Sequence, residues 1–283
     1  MLNFIIVVVL GGLVAAAGSV GGAFWQGMPV FALCAVLAFL IQWLAFIPAY
    51  LKQTERFYDL TGSATYLSVI TLALVLTPNP DPVAWLIAAC ISIWALRLGS
   101  FLFQRISTDG SDSRFDRIKP DPMRFLFTWT LQGLWVVMTA ACALAAITAS
   151  QSTPIVVLGW LGLAVWLLGF VIEVAADNQK RRFRNDHGSD RFINTGLWRL
   201  SRHPNYFGEI VLWGGIAMMS FPALQGWTLV TLISPVFVFV LLTRVSGVPL
   251  LERKGAKRWG EDPDYQAYCR ETPVLVPFLG RKG

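Results

Sequence analysis

Residues 29–51 read PVFALCAVLAFLIQWLAFIPAYL, a run without a single Asp, Glu, Lys or Arg. A helix needs about 20 mostly apolar residues to cross the hydrocarbon core of a bilayer, and this run meets that length alone. Working outward, the apolar residues gather in further blocks: Leu2–Val20, Ser63–Leu76, Val83–Phe103, Phe125–Ala149, Pro154–Ala176, Tyr206–Phe221 and Trp227–Leu242. They fall in blocks, not in amphipathic stripes. Ser63–Leu76 and Tyr206–Phe221 are short unless polar residues at their buried ends complete them. Only 14% of the 283 residues are charged and mean hydropathy is +0.57, against about 25% charged in soluble domains. The sequence therefore predicts an all-α, polytopic membrane bundle of seven to eight transmembrane helices. Seven holds if the first block is peripheral.

Charge fixes an expected orientation. The connections near Gly21–Met28, Thr77–Pro82, Ser150–Pro154 and Pro222–Gly226 carry no Lys or Arg, and all 23 basic residues lie in or beside the other four. Alternating basic loops follow the positive-inside pattern, so both termini are expected to be cytoplasmic. The first block lacks a basic leader and a small-residue cleavage site, so it reads as a retained segment. The net charge of +6 is explained by the same pattern, and nucleic acid is not an expected partner. Cys34, Cys90 and Cys142 lie in apolar blocks and Cys269 stands alone in the tail. No zinc-type ligand set or disulfide framework is legible, and no metal is expected. Short outer loops imply antiparallel neighbours, and Gly11-Gly12, Gly21-Gly22 and Gly159-Trp-Leu-Gly162 imply close helix approach.

Two polar clusters stand at the ends of apolar blocks, where charge is costly and marks candidate function. The first holds Glu173, Asp177, Arg181 and Arg184, whose spacing of four, four and three puts them on one helical face. It is acidic deep and basic outside, matching a ligand with a polar middle and an anionic end. The run Lys180–Arg184 also fits a headgroup anchor. The second is Ser201-Arg-His-Pro-Asn-Tyr206. Proline suits the first helical position, and a helix N-terminus favours anionic or carbonyl groups. Asn205 and Glu209, four apart, can together accept from and donate to a primary carboxamide, the group on a nicotinamide ring. Arg97, Arg105, Asp112-Ser-Arg114 and Arg244 add arginines suited to bidentate phosphate binding, although no Gly-rich phosphate loop is present. Tyr58 and Asp59 enter the short third block. A carboxyl held in low dielectric stays protonated and donates a hydrogen bond, whereas a solvated loop carboxylate does not; Glu55 is the neighbouring acid.

The run Gly196-Leu-Trp through Arg202-His-Pro-Asn-Tyr-Phe-Gly-Glu209, with the tail Arg258-Trp-Gly-Glu-Asp-Pro-Asp-Tyr265 to Pro277-Phe, resembles the steroid 5-alpha-reductase family and its bacterial relatives. The likeness covers roughly the last 110 residues well and the first helices by pattern. It implies NADPH-dependent reduction of an enone carbon–carbon double bond within the membrane. It places Asn205 and Glu209 at the nicotinamide and Asp177, Arg181, Arg184, Arg97 and Arg244 around the cofactor. The family's Gln-Glu pair at the substrate ketone falls on Tyr58-Asp59, and a ketone-binding tyrosine falls on Trp94. Both are departures, which bear on substrate and proton donor more than on cofactor. A similar Arg-His-Pro string occurs in membrane isoprenylcysteine methyltransferases, so an S-adenosylmethionine site is the alternative reading. A third is a non-catalytic lipid- or sterol-binding membrane protein.

The expected cofactor set is thus Arg97, Arg105, Arg114, Glu173, Asp177, Lys180, Arg181, Arg184, Arg202, His203, Asn205, Tyr206, Glu209 and Arg244, and the expected catalytic set is Asp59, Tyr58, Glu55 and Trp94. One integral-membrane domain is expected over residues 1–283, with 1–124 on the substrate side and 125–283 on the NADPH side. Expected partners are membrane lipids and a steroid or other lipid-soluble enone entering from the bilayer. The expected state is a monomer in a bacterial inner membrane.

Overall fold

A computed structural model describes residues 2–109, 112–188 and 190–279. The chain is helical almost throughout: α1 (Leu2–Gly18), α2 (Val30–Leu51), α3 (Tyr58–Leu76), α4 (Pro82–Asp109), α5 (Pro122–Ile147), α6 (Val157–His187), α7 (Pro204–Ser220), α8 (Ile233–Val240), α9 (Gly247–Trp259) and α10 (Pro263–Glu271). Among the described residues the strands are an antiparallel pair of two residues each, β1 (Phe24–Trp25) and β2 (Met28–Pro29), in the turn between α1 and α2. A 3-10 segment (Gly226–Leu232), α8, a π-helical turn (Leu241–Val245) and α9 form one long apolar stretch. Among the described residues, six segments are long and apolar enough to cross a membrane, and α1 is a shorter apolar helix. The chain is an integral, multi-pass membrane protein of all-α class. The third block is completed as its length demanded, because α3 begins at Tyr58 and takes Asp59 into its first turn.

The helices divide into two compact units, Met1–Trp160 with Ile216–Ser234, and Leu161–Gly215 with Pro235–Gly283. In the first, α5 is the central helix and packs against α1, α2, α3 and α4. Its apolar window is 89% buried, as expected of a helix apolar on every side, with the small residues Ala140, Ala141, Ala143, Ala145 and Ala146 among those buried. The structure therefore groups α5 with the helices before it, where a division of the sequence at residue 124 separates them. Asp121 caps α5 by accepting from the backbone N–H groups of Met123 and Arg124.

In the second unit, α6 and α7 approach backbone to backbone. A Cβ built on Gly169 would lie 2.5 Å from the Leu212 nitrogen, one on Gly208 2.6 Å from the Gly169 oxygen, and one on Gly215 2.6 Å from the Gly162 oxygen. Glycines seven apart on each helix, 162 and 169 facing 208 and 215, thus form a seam without side chains. Membrane helices lack a hydrophobic drive to associate and rely on such close packing. Gly214 has nothing within 4 Å of its Cβ position. Gly208→Ala should therefore destabilise the purified protein by about 1–3 kcal/mol or more, read as a lowered Tm. Gly214→Ala, at the neighbouring position with open space around its Cβ, should leave Tm unchanged or raised, because alanine is the better helix former.

Candidate functional site

The α6–α7 seam sets the polar residues of both helices side by side. Glu173 and Asp177 on α6 are 2% and 6% exposed, while Arg181 and Arg184, on the next turns, are exposed. One helix face thus runs from buried acid to exposed base. On α7, which starts at Pro204 as its φ constraint favours, the Asn205 amide Nδ2 donates to Asp177 Oδ1 at 3.2 Å. That bond orients the amide and leaves Asn205 Oδ1 buried with no hydrogen-bond partner among the described residues. Glu209 is half-buried one turn further along α7.

Local sequence explains how the segment before α7 is held. Gly196 has φ of +59°, and a Cβ there would meet the Gln179 side chain at 2.6 Å. The 3-10 turn Gly196–Arg199 therefore folds onto α6, where Trp198 Nε1 donates to the Ala176 carbonyl and the Leu197 N–H to Gln179 Oε1. Lys180 lies over the Trp198 ring, its Nζ 4.6 Å from the ring centre. The tail then straps the next residues: Arg202 N–H donates to the Pro273 carbonyl and Ser201 Oγ to the Leu275 carbonyl. Tyr268 Oη adds a bond to the Trp198 carbonyl. Burial pushes the phenols of Tyr265 and Tyr268 above their ordinary pKa, so both remain donors.

Arg202 and His203 share one partner that sequence reasoning missed. Glu252 on α9 accepts from Arg202 Nη1 at 2.6 Å and lies 2.7 Å from His203 Nε2. Its signal in the sequence is faint: Glu252 is the one acid between Glu209 and Glu261, next to the basic run Arg253-Lys254. Arg202, expected to bind phosphate, is already neutralised by this carboxylate. Burial lowers the His203 pKa; Glu252 opposes that shift, while Lys180 and Arg202 reinforce it. Tyr206 stacks parallel to the His203 ring, 14° apart in plane, and Gly247 leaves room for it, since a Cβ there would come within 2.8 Å of Tyr206 Cε2. Arg244 is exposed in the π-helical turn.

The first unit gathers the other expected residues. Tyr58 Oη donates to the Thr128 carbonyl at 3.0 Å, with its ring edge-on to Phe115 and Trp129. Its proton is thus committed to the backbone, and its oxygen retains only acceptor capacity. Asp59 is half-buried in the first turn of α3. Glu55 is buried, accepting from the Asp112 N–H at 2.8 Å and from Lys119 Nζ. Burial alone would raise its pKa, but the Lys119 and Asp112 bonds outweigh burial and hold it below the usual value. Glu55 is an ionised clasp between two loops. Trp94 is buried edge-on to Tyr66. Arg97 lies 5.2 Å from the Phe101 ring centre, and Arg114 pairs with Asp112. Arg105 is in α4, but its side chain lies outside the described residues. A cleft of about 640 Å³ on the second unit is lined by Phe183, His187, Arg191, Arg199 and Tyr268 among others, and by none of Asp177, Asn205 or Glu209.

The model of a family described as "Protein of unknown function (DUF1295)" matches residues 45–272. The chain belongs to the DUF1295 family. This DUF1295 chain is also similar to curated proteins named 3-oxo-5-alpha-steroid 4-dehydrogenase 1. The Bos taurus protein is 31% identical over 120 residues, 42% of this chain and 41% of the relative. The Rattus norvegicus protein is 30% identical over 120 residues, 42% of this chain and 40% of the relative. The DUF1295 chain therefore spans about two-fifths of the length of the curated relatives it matches. No solved structure matches it.

A depressed histidine pKa means that the unfolded chain takes up a proton near pH 6.5 while the folded chain does not. His203 should therefore titrate below 6.5 by NMR of a His187→Gln background, and its contribution to stability should fall as pH drops through that range. Glu55→Gln should lower stability by about 2–4 kcal/mol, because it strips the charge partner from Lys119. Thermal unfolding in detergent measures this directly.

Proposed function

We propose that the protein is an NADPH-dependent reductase of the carbon–carbon double bond of a membrane-soluble enone, a 3-oxo-4-ene steroid being the leading substrate class. The supporting observation is Asn205, held by buried Asp177 on the glycine seam with its Oδ1 unsatisfied. A buried, oriented acceptor beside the carboxyl of Glu209 fits the N–H₂ of a primary carboxamide. The names of the relatives point to the same chemistry. Asn205 and Glu209 would hold the nicotinamide end and Asp177 would fix the Asn205 rotamer. Arg181, Arg184 and Arg244, all exposed on the second unit, would meet the phosphate charge.

Held by Asn205 and Glu209, the nicotinamide of a bound NADPH would be the hydride source for the β carbon of the enone. The chain's own task is to stabilise the negative charge that then develops on the ketone oxygen. Tyr58 donates its O–H to the Thr128 carbonyl and Glu55 is ion-paired; Asp59 and the Trp94 indole would be the donors offered to that oxygen. A protonated Asp59 hydrogen-bonded to the ketone would stabilise the enolate, and a solvent proton at the α carbon would complete the reduction. The positive-inside charge pattern supports a cytoplasmic face for the cofactor helices.

Purified protein offered NADPH and S-adenosylmethionine in parallel, with testosterone or progesterone, tests the reading. A product two mass units heavier with NADPH is expected; methylated product from S-adenosylmethionine, or binding of that donor alone, refutes it. Loss of one oxyanion donor costs about 10²–10³ in turnover, so Asp59→Leu should lose that much kcat with NADPH affinity unchanged. Glu209→Ala should weaken NADPH binding, seen as a raised Kd by fluorescence.

A further inference from the structure

We propose that Glu252 is a positioning residue: it holds His203 in the Nε2–H tautomer and so presents the Nδ1 lone pair as an acceptor for a neutral donor group of a ligand bound at the mouth of α7. The His203 side chain is 5% exposed, and Nε2 faces Glu252 Oε1 at 2.7 Å. Three protonation states are available to the ring. With the proton on Nδ1, the Nε2 lone pair would face a carboxylate oxygen, acceptor against acceptor. With both nitrogens protonated, a buried Nδ1–H would have no acceptor among the described residues, and leaving a buried donor unsatisfied is costly. The proton on Nε2 satisfies the carboxylate and leaves Nδ1 as a buried acceptor.

The carboxylate is fixed from its other side. Glu252 Oε2 accepts from Arg202 Nη1, and the Arg202 backbone N–H is in turn bonded to the Pro273 carbonyl. Tyr206 stacks on the imidazole. The ring therefore cannot turn to find another partner for Nδ1 without breaking the Glu252 bond. Asn205 Oδ1, two residues on in the chain, is another buried acceptor without a hydrogen-bond partner among the described residues. Two neighbouring acceptors select hydroxyl or amide N–H donors and disfavour a phosphate at this point. In a nicotinamide dinucleotide, such donors are the carboxamide and the ribose hydroxyls, so the ligand half of the inference rests on the NADPH reading, whereas the tautomer does not.

The chain has two histidines, and His187 is an exposed residue stacked on Phe183. His187→Gln thus leaves His203 as the sole imidazole, and ¹⁵N-histidine labelling reports its tautomer at pH 8 in ligand-free protein. The expected spectrum shows a protonated Nε2 and a bare Nδ1; a protonated Nδ1 overturns the proposal. Glu252→Ala should give a tautomer mixture and a Kd for NADPH raised at least tenfold. Glu252→Gln keeps an oxygen for the Nε2–H and should restore the tautomer and most of the affinity. An alanine variant with the wild-type tautomer and affinity refutes the role. If that variant does not fold, the parent spectrum and the glutamine variant decide. Failure of the parent to bind NADPH defeats the cofactor reading, while the ligand-free spectrum still decides whether Glu252 sets the tautomer.

Discussion

Everything proposed for the second unit depends on two helices touching through their backbones. At Gly169, Gly208 and Gly215 there is no space for even a methyl group, and that closeness lets a single amide on α7 reach a carboxylate on α6. Ordinary helix packing at 8–10 Å with larger side chains between would separate Asn205 from Asp177. The seam also explains how two carboxylates, Glu173 and Asp177, are kept out of water.

The gross architecture is legible in the sequence because a bilayer demands length and apolarity, and both are local properties. Every apolar block corresponds to a helix or to one continuous helical stretch, and α3 starts at the polar residues needed to complete it. The face Glu173, Asp177, Arg181, Arg184 was equally visible, because helical spacing alone defines it. Contacts between distant segments were not. Glu252 lies 49 residues from His203, and nothing in either neighbourhood announces the pairing. Tyr58 illustrates the same limit: the sequence does not show that its O–H donates to a carbonyl 70 residues away. The central place of α5 was hidden too, since an apolar run reads alike whether it faces lipid or protein.

Electrostatics divides the acids into two kinds. Glu55 and Glu252 are bonded to cations and organise loops and side chains around themselves. Asp177 and Asn205 form a polar pair whose outward atom is unfilled. Membrane proteins retain such intramembrane polar groups at a cost in free energy, which is the physical reason for reading them as sites. The first kind builds the frame, and the second is the pair proposed to hold the ligand.

The tail strap has a consequence for biosynthesis. Ser201 donates to the carbonyl of Leu275, 74 residues further along the chain. At about 5–20 residues per second, the strap cannot close until roughly 4–15 s after Ser201 has been polymerised. In that interval the residues leading into α7 lack their downstream partners. The mouth of that helix is therefore among the last parts of the molecule to mature during translation.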